Sequence, residues 1–111
     1  MTIAELEGDT LAHYARMIAW AEKREDKTSV LDHELMVSCM HNALGEDWYS
    51  PFCPLCVAYK DCATCIICQK TGDNCMSTPW LGMHKAVSWK EWLVAAKKER
   101  DFLENEIFKG V

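Results

Sequence analysis

A chain of 111 residues, half of them apolar, with a formal charge of -5 and seven cysteines, is enough for one small core and leaves no room for a second domain. No apolar run approaches the roughly 18 residues needed to span a bilayer, so a membrane partner is not expected. The acidic excess lies in residues 1 to 52, with 10 Asp/Glu against 4 Lys/Arg, whereas residues 76 to 111 hold 5 against 6. Nucleic acid, which needs a cationic face, therefore has no compositional support in the first half.

Residues 2 to 26 carry a helical signal. Thr2 and Glu5 have capping-box spacing, and Gly8 with Asp9 offers a point where the helix can restart. Leu11, Tyr14, Ile18 and Ala21 then recur at three- and four-residue steps, with Met17 and Trp20 widening the stripe. The charged run Glu22 to Asp26 suits a solvated helix end. A second helix is expected over Ser29 to Leu44, with Leu31, Leu35, Cys39 and Ala43 inward and Gly45 as its stop, although Val37 to Met40 also fits a short extended piece. Residues 46 to 84 are punctuated by Pro51, Pro54, Gly72, Asp73, Asn74, Pro79 and Gly82, which argue against any long periodic element. From Ser88 onward the helical signal is strongest. Ser88 can cap, Glu91 follows three residues later, and Trp89, Trp92, Leu93, Ala96, Leu103 and Ile107 form one apolar face before Gly110. Lys97, Lys98, Arg100, Asp101 and Glu104 lie opposite.

The expected fold is thus mainly α. Two amphipathic helices, paired as a hairpin or in a small bundle, flank an irregular Cys-rich metal-binding loop. One domain spans residues 1–111, divided into a helical part at 1–45, the Cys-rich loop at 46–84 and a C-terminal helix at 85–111. The apolar stripes must bury against each other or against a second copy of the chain, so a homo-oligomer is compatible with the pattern.

Six cysteines fall within 23 residues: Cys53, Cys56, Cys62, Cys65, Cys68 and Cys75. The first four form two CxxC pairs, and two such pairs brought together make a tetrahedral thiolate shell of the kind that holds structural zinc. Disulfides are disfavoured by the odd total and by the stretch Met1 to Asp9, which lacks the basic start and apolar run of a secretory leader, so a reducing cytoplasm is the expected setting. An iron–sulfur cluster is the alternative cofactor. Cys62, Cys65 and Cys68 give CxxCxxC, but no fourth cysteine followed by proline completes the ferredoxin run. The CPLC of residues 53 to 56 also spells a redox dithiol, without the preceding strand such motifs need. His13, His33, His41 and His84 show no paired spacing and read as surface or packing residues. Cys39, outside the cluster, reads as a buried thiol.

CPLC, Cys62, Cys65, Lys70, Thr71, Gly72, Cys75, Thr78, Pro79 and Trp80, followed by Phe102 and Leu103 near the end, resemble a family of small uncharacterised Cys-rich bacteriophage proteins. The resemblance covers most of the chain apart from Val30 to Phe52, which is longer. Two positions depart from the family pattern: Ile66 stands where a proline follows the second pair, and Cys68 is additional. The resemblance implies a phage protein working in the host cytoplasm, and it makes Cys53, Cys56, Cys62, Cys65 and Cys75 the shared thiols. The five-residue link between the CxxC pairs is short for folding one over the other, so the preferred zinc ligands are Cys53, Cys56, Cys65 and Cys75, with Cys62 and then Cys68 as substitutes.

No base, nucleophile and oxyanion donor can be grouped from the sequence. The leading functional expectation is a non-enzymatic zinc-stapled helical protein that binds a host or phage protein in an accessory or counter-defence role. Sequestration of a small signalling nucleotide is the alternative, and a redox or iron–sulfur protein the third. Trp48, Tyr49, Trp80 and Lys85 flank the cluster outside both helical stripes and are the candidate partner or ligand surface. Trp48 and Trp80 fit equally well as a cap on the core beside the metal.

Overall fold

A computed structural model describes residues 2–49, 54–59, 65–72 and 78–109, with Cys56 placed by its backbone alone. Helix α1 runs unbroken over Ile3–Glu22. Thr2 is extended, and its Oγ1 accepts the Glu5 amide at 3.1 Å, satisfying one of the unpaired N–H groups of the first turn. The expected restart at Gly8 does not occur. Burial of the face that carries Leu6, Tyr14, Met17, Ile18 and Ala21 outweighs the roughly 1 kcal/mol that an interior glycine costs. Leu11, expected on this stripe, is only half-buried, while Thr10 and His13 occupy buried places.

Helix α2 spans His33–Leu44. It starts later than expected because Asp26 folds residues 26–29 into a turn, accepting the Thr28 and Ser29 amides at 3.0 and 3.2 Å. The hydroxyl of Ser29 and these amides hold the Asp26 carboxyl at a pKa of about 2. Asp32 then caps the helix through the Glu34 amide at 3.2 Å, and Gly45 ends it at φ 74°, where only glycine is unstrained. Its buried face is one residue round from the expected one. Met36 and Met40 are fully buried with Val37 and Leu44 beside them, while Leu35, Cys39 and Ala43 are exposed. The extended alternative at Val37 to Met40 and the buried thiol at Cys39 are both corrected.

The expected irregular loop contains three short helices: α3 at Pro54–Ala58, α4 at Ile66–Thr71 and α5 at Trp80–Lys85. The residues read as breakers act at helix ends. Pro54 opens α3, Pro79 precedes α5, and Gly72 closes α4 at φ 78°. Leu55 seats α3 in the core and the helix packs on α1; Ile66 and Ile67 seat α4 in the same core.

Helix α6, Trp89–Phe102, begins as expected, with Ser88 Oγ accepting the Glu91 amide at 3.2 Å. It passes directly into a π-helical turn at Leu103–Ile107, where the Phe108 amide reaches the Leu103 carbonyl at 2.8 Å. The widened turn buries Leu103, Ile107 and Phe108 together, and α4 packs against it. Packing of α1 on α6 brings Trp20 edge-on to Trp89 at 5.0 Å, so the two expected stripes meet within one chain. The core between them is built from Trp48, Trp89 and Trp92 with the fully buried Met17, Met36, Met40 and Met83, whose unbranched thioethers fill the gaps around flat indoles. Two backbone bonds clamp the connection after α1 to the start of α6: Leu31 N–H donates to Val87 O at 2.6 Å, and Lys90 N–H to Lys27 O at 2.8 Å.

Helices α5 and α6 approach closely at Gly82 and Ala95. A Cβ added at Gly82 would lie 2.9 Å from the Ala95 Cβ. Gly82→Ala is therefore expected to destabilise the chain by about 1–3 kcal/mol through overpacking, although alanine is the better helix former. Urea unfolding checks this; an unchanged or raised midpoint would refute the close approach.

Candidate functional site

Of the cysteines singled out, Cys53, Cys62 and Cys75 lie outside the described residues, as does the side chain of Cys56, whose backbone belongs to the first turn of α3. Cys65 is the residue before α4 and Cys68 lies within its first turn; both are half-buried. The two thiols thus stand three residues apart in sequence at the start of one helix. Among the described residues no group of three or more His, Cys, Asp or Glu side chains is assembled to hold a metal.

The structure gathers three of the four expected surface residues around two histidines. Trp48 lies in the core at 1 % exposure, 5.3 Å from Trp92 and 6.4 Å from Trp89, so it supports this surface from beneath and does not face solvent. Tyr49 stacks on it at 6.1 Å. Trp80 is half-buried and donates its indole N–H to the Trp48 carbonyl at 2.9 Å, tying α5 to the connection after α2. One turn along α5, His84 lies flat on Trp80 with ring centroids 5.3 Å apart. Lys85 is exposed beside it. Tyr49 Oη is hydrogen-bonded to His33 Nε2 and lies 3.3 Å from His84 Nδ1; the two imidazoles are 4.9 Å apart. Burial, and then the neighbouring His84, push the His33 pKa below its usual value. Burial raises that of Tyr49, aided by Asp47 and Glu34. Neither histidine carried a signal in the sequence, since residues 33, 49 and 84 share no spacing.

A second network holds the Glu46 to Tyr49 connection in place. The Glu46 carboxylate accepts from Arg16 at 2.9 and 3.2 Å and lies 3.0 Å from Nδ1 of the buried His13. Asp47 accepts the Tyr49 amide at 2.8 Å and faces His41 at 3.3 Å. Burial lowers the His13 pKa despite the carboxylate. Burial alone would raise that of Glu46, but the bonds from Arg16 and His13 prevail and hold it below its usual value. The unfolded chain therefore takes up protons before the folded one at His13, and likewise at His33, as pH falls through 6.5, and the folded chain keeps Glu46 ionised past the point where the unfolded one neutralises it. Both effects reduce stability on acidification. The urea midpoint should fall between neutral pH and about pH 5, and His13→Gln should flatten that dependence; an equal slope in the variant would assign it elsewhere.

On the far side of α5 a groove of about 700 Å³ runs against α6. Pro79, Gly82, Val94 and Ala95 form its floor, and Lys90 and Lys98 stand at its rim beside Glu91. Glu91 is partly engaged, accepting the Val87 amide at 3.0 Å. Thr78 fixes the floor from below: its hydroxyl donates to the buried Glu99 Oε2 at 2.7 Å and accepts the Trp80 amide at 3.3 Å. The Thr78, Pro79, Trp80 triplet thus caps α5 and ties it to α6. Glu99, buried in the charged part of α6, was not singled out from the sequence; its only signal there was its place one turn before Leu103 on the apolar face.

Searched against family models, curated proteins and solved structures, the chain matches none. No helix among the described residues is long and apolar enough to cross a membrane.

Proposed function

We propose that this chain is a non-enzymatic, zinc-stapled helical binding protein that docks a host or phage protein in the groove between α5 and α6. The observation that carries the reading is the groove itself. Its floor is apolar, with Val94 about half exposed, and two lysines spaced along α6 face solvent at its edge. A segment with an apolar stripe flanked by acidic residues fits that pattern, since the lysines steer encounter while the floor supplies burial. Zinc bound by Cys53, Cys56, Cys65 and Cys75 would hold α3 and α4 against the frame, and the likeness to phage proteins supports the phage setting.

The test pairs wild type with the double variant Lys90→Glu and Lys98→Glu, both exposed residues whose replacement should leave melting unchanged. Capture from host lysate should yield a protein that wild type retains and the variant loses. Identical capture by both overturns the groove reading. A melting shift with a signalling nucleotide, insensitive to these two lysines, would move the proposal to sequestration of that ligand.

A further inference from the structure

Two imidazole nitrogens and a phenol oxygen converge where α2, α5 and the connection after α2 meet. We propose that His33 Nε2, Tyr49 Oη and His84 Nδ1 form a binding site for a divalent first-row transition ion, separate from the cysteines and independent of the groove reading. Imidazole suits zinc, nickel and copper, and tyrosine oxygen completes a three-ligand set with room for a water. Donors around a tetrahedral ion with bonds of about 2.0–2.1 Å lie roughly 3.3 Å apart, which is the separation of Tyr49 Oη from His84 Nδ1. The hydrogen-bonded pair His33 Nε2 and Tyr49 Oη lies closer and must part as the ion enters. Partial exposure of all three residues leaves an entry path and a fourth position for solvent.

The rings are positioned before any ion arrives. Trp80 lies flat against His84, Trp48 meets His33 edge-on at 6.0 Å, and the same indole backs Tyr49. The surroundings favour a cation: Asp32 and Glu34 flank His33, and Asp47 lies two residues before Tyr49, against Lys85 alone beside His84. In the metal-free chain Tyr49 donates its one hydroxyl proton to one of the two rings, and its oxygen can accept from the other. Binding displaces that proton to solvent, exchanges the His33–Tyr49 hydrogen bond for two metal bonds, and uses both imidazoles neutral. One proton is released per ion, so affinity should rise about tenfold per pH unit while Tyr49 remains protonated in the free chain.

Nickel(II) is the probe, added to the full chain and followed by quenching of tryptophan emission, to which Trp48 and Trp80 are adjacent. The cysteines are common to all variants, so comparison isolates this site. His84→Gln should weaken binding at least tenfold with metal-free melting preserved, Tyr49→Phe about tenfold, and the exposed control Asn42→Ala not at all. Equal affinity in wild type and His84→Gln overturns the site. Wild type alone gives a second reading that does not depend on a variant folding: paramagnetic nickel should broaden the His33 and His84 imidazole and Trp80 indole resonances. Broadening confined to His41 or to the Cys-rich segment overturns it equally.

Discussion

Trp92→Ala is expected to cost about 3–5 kcal/mol, a large share of the 5–15 kcal/mol that a domain of this size possesses. The side chain is fully buried, 5.3 Å from Trp48 and 5.7 Å from Trp89, and the rigid indoles around it cannot close over the cavity left behind. Loss of Trp92 would also loosen Trp48 and, through the Trp48 carbonyl, the anchor of Trp80. Trp92→Phe should cost much less. It keeps most of the ring volume and removes a buried indole N–H that has no acceptor among the described residues, a donor whose burial costs about 1–3 kcal/mol. Urea unfolding at fixed pH checks both; an alanine variant as stable as wild type would mean that this aromatic stack does not form.

Metal removal is the second large effect. On the zinc proposal the purified chain is colourless with one zinc, and the site supplies on the order of 10 kcal/mol, comparable to the entire stability of the fold. A strong chelator should then unfold the segment carrying α3 and α4 and expose Leu55, Ile66 and Ile67. Cys53→Ser, Cys56→Ser and Cys65→Ser should each give metal-free or insoluble protein, while Cys39→Ser, on the exposed face of α2, should be tolerated. Cys68→Ser discriminates between ligand sets: retained zinc supports Cys75 as the fourth ligand, and lost zinc assigns that place to the thiol one turn into α4. A brown preparation containing iron and sulfide would replace zinc with a cluster.

Local signals in the chain were legible where a few neighbouring residues decide the conformation. Thr2, Ser88 and Gly45 act at helix ends as their side-chain oxygens or lack of a Cβ dictate. The buried face of α2 was not legible, because that helix carries two adjacent apolar stripes and periodicity cannot choose between them. The core takes Met36 and Met40, whose flexible chains conform to the tryptophans, and leaves Leu35 and Cys39 outside. Short helices α3, α4 and α5 are far below the roughly 12–15 residues at which a helix holds itself together, so tertiary contact creates them. Tyr49 and Trp80 stood out as aromatics without a packing role. Their histidine partners could be found only once the fold had brought positions 33, 49 and 84 together.

The two backbone bonds joining Lys27 and Leu31 to Lys90 and Val87 have a topological consequence. All seven cysteines fall between the clamped ends, so the chain behaves as a loop closed by α1 and α6, with the thiol segment carried inside it. Closure entropy grows only with the logarithm of loop length, and doubling such a loop costs about 0.6 kcal/mol. Lengthening a flexible connection within the span should therefore be tolerated at little thermodynamic expense, unlike a change to α2, whose Met36 and Met40 are fully buried in the core. Folding speed is the quantity such changes should affect, because contacts between residues 27 and 90 must wait for the whole span to come together.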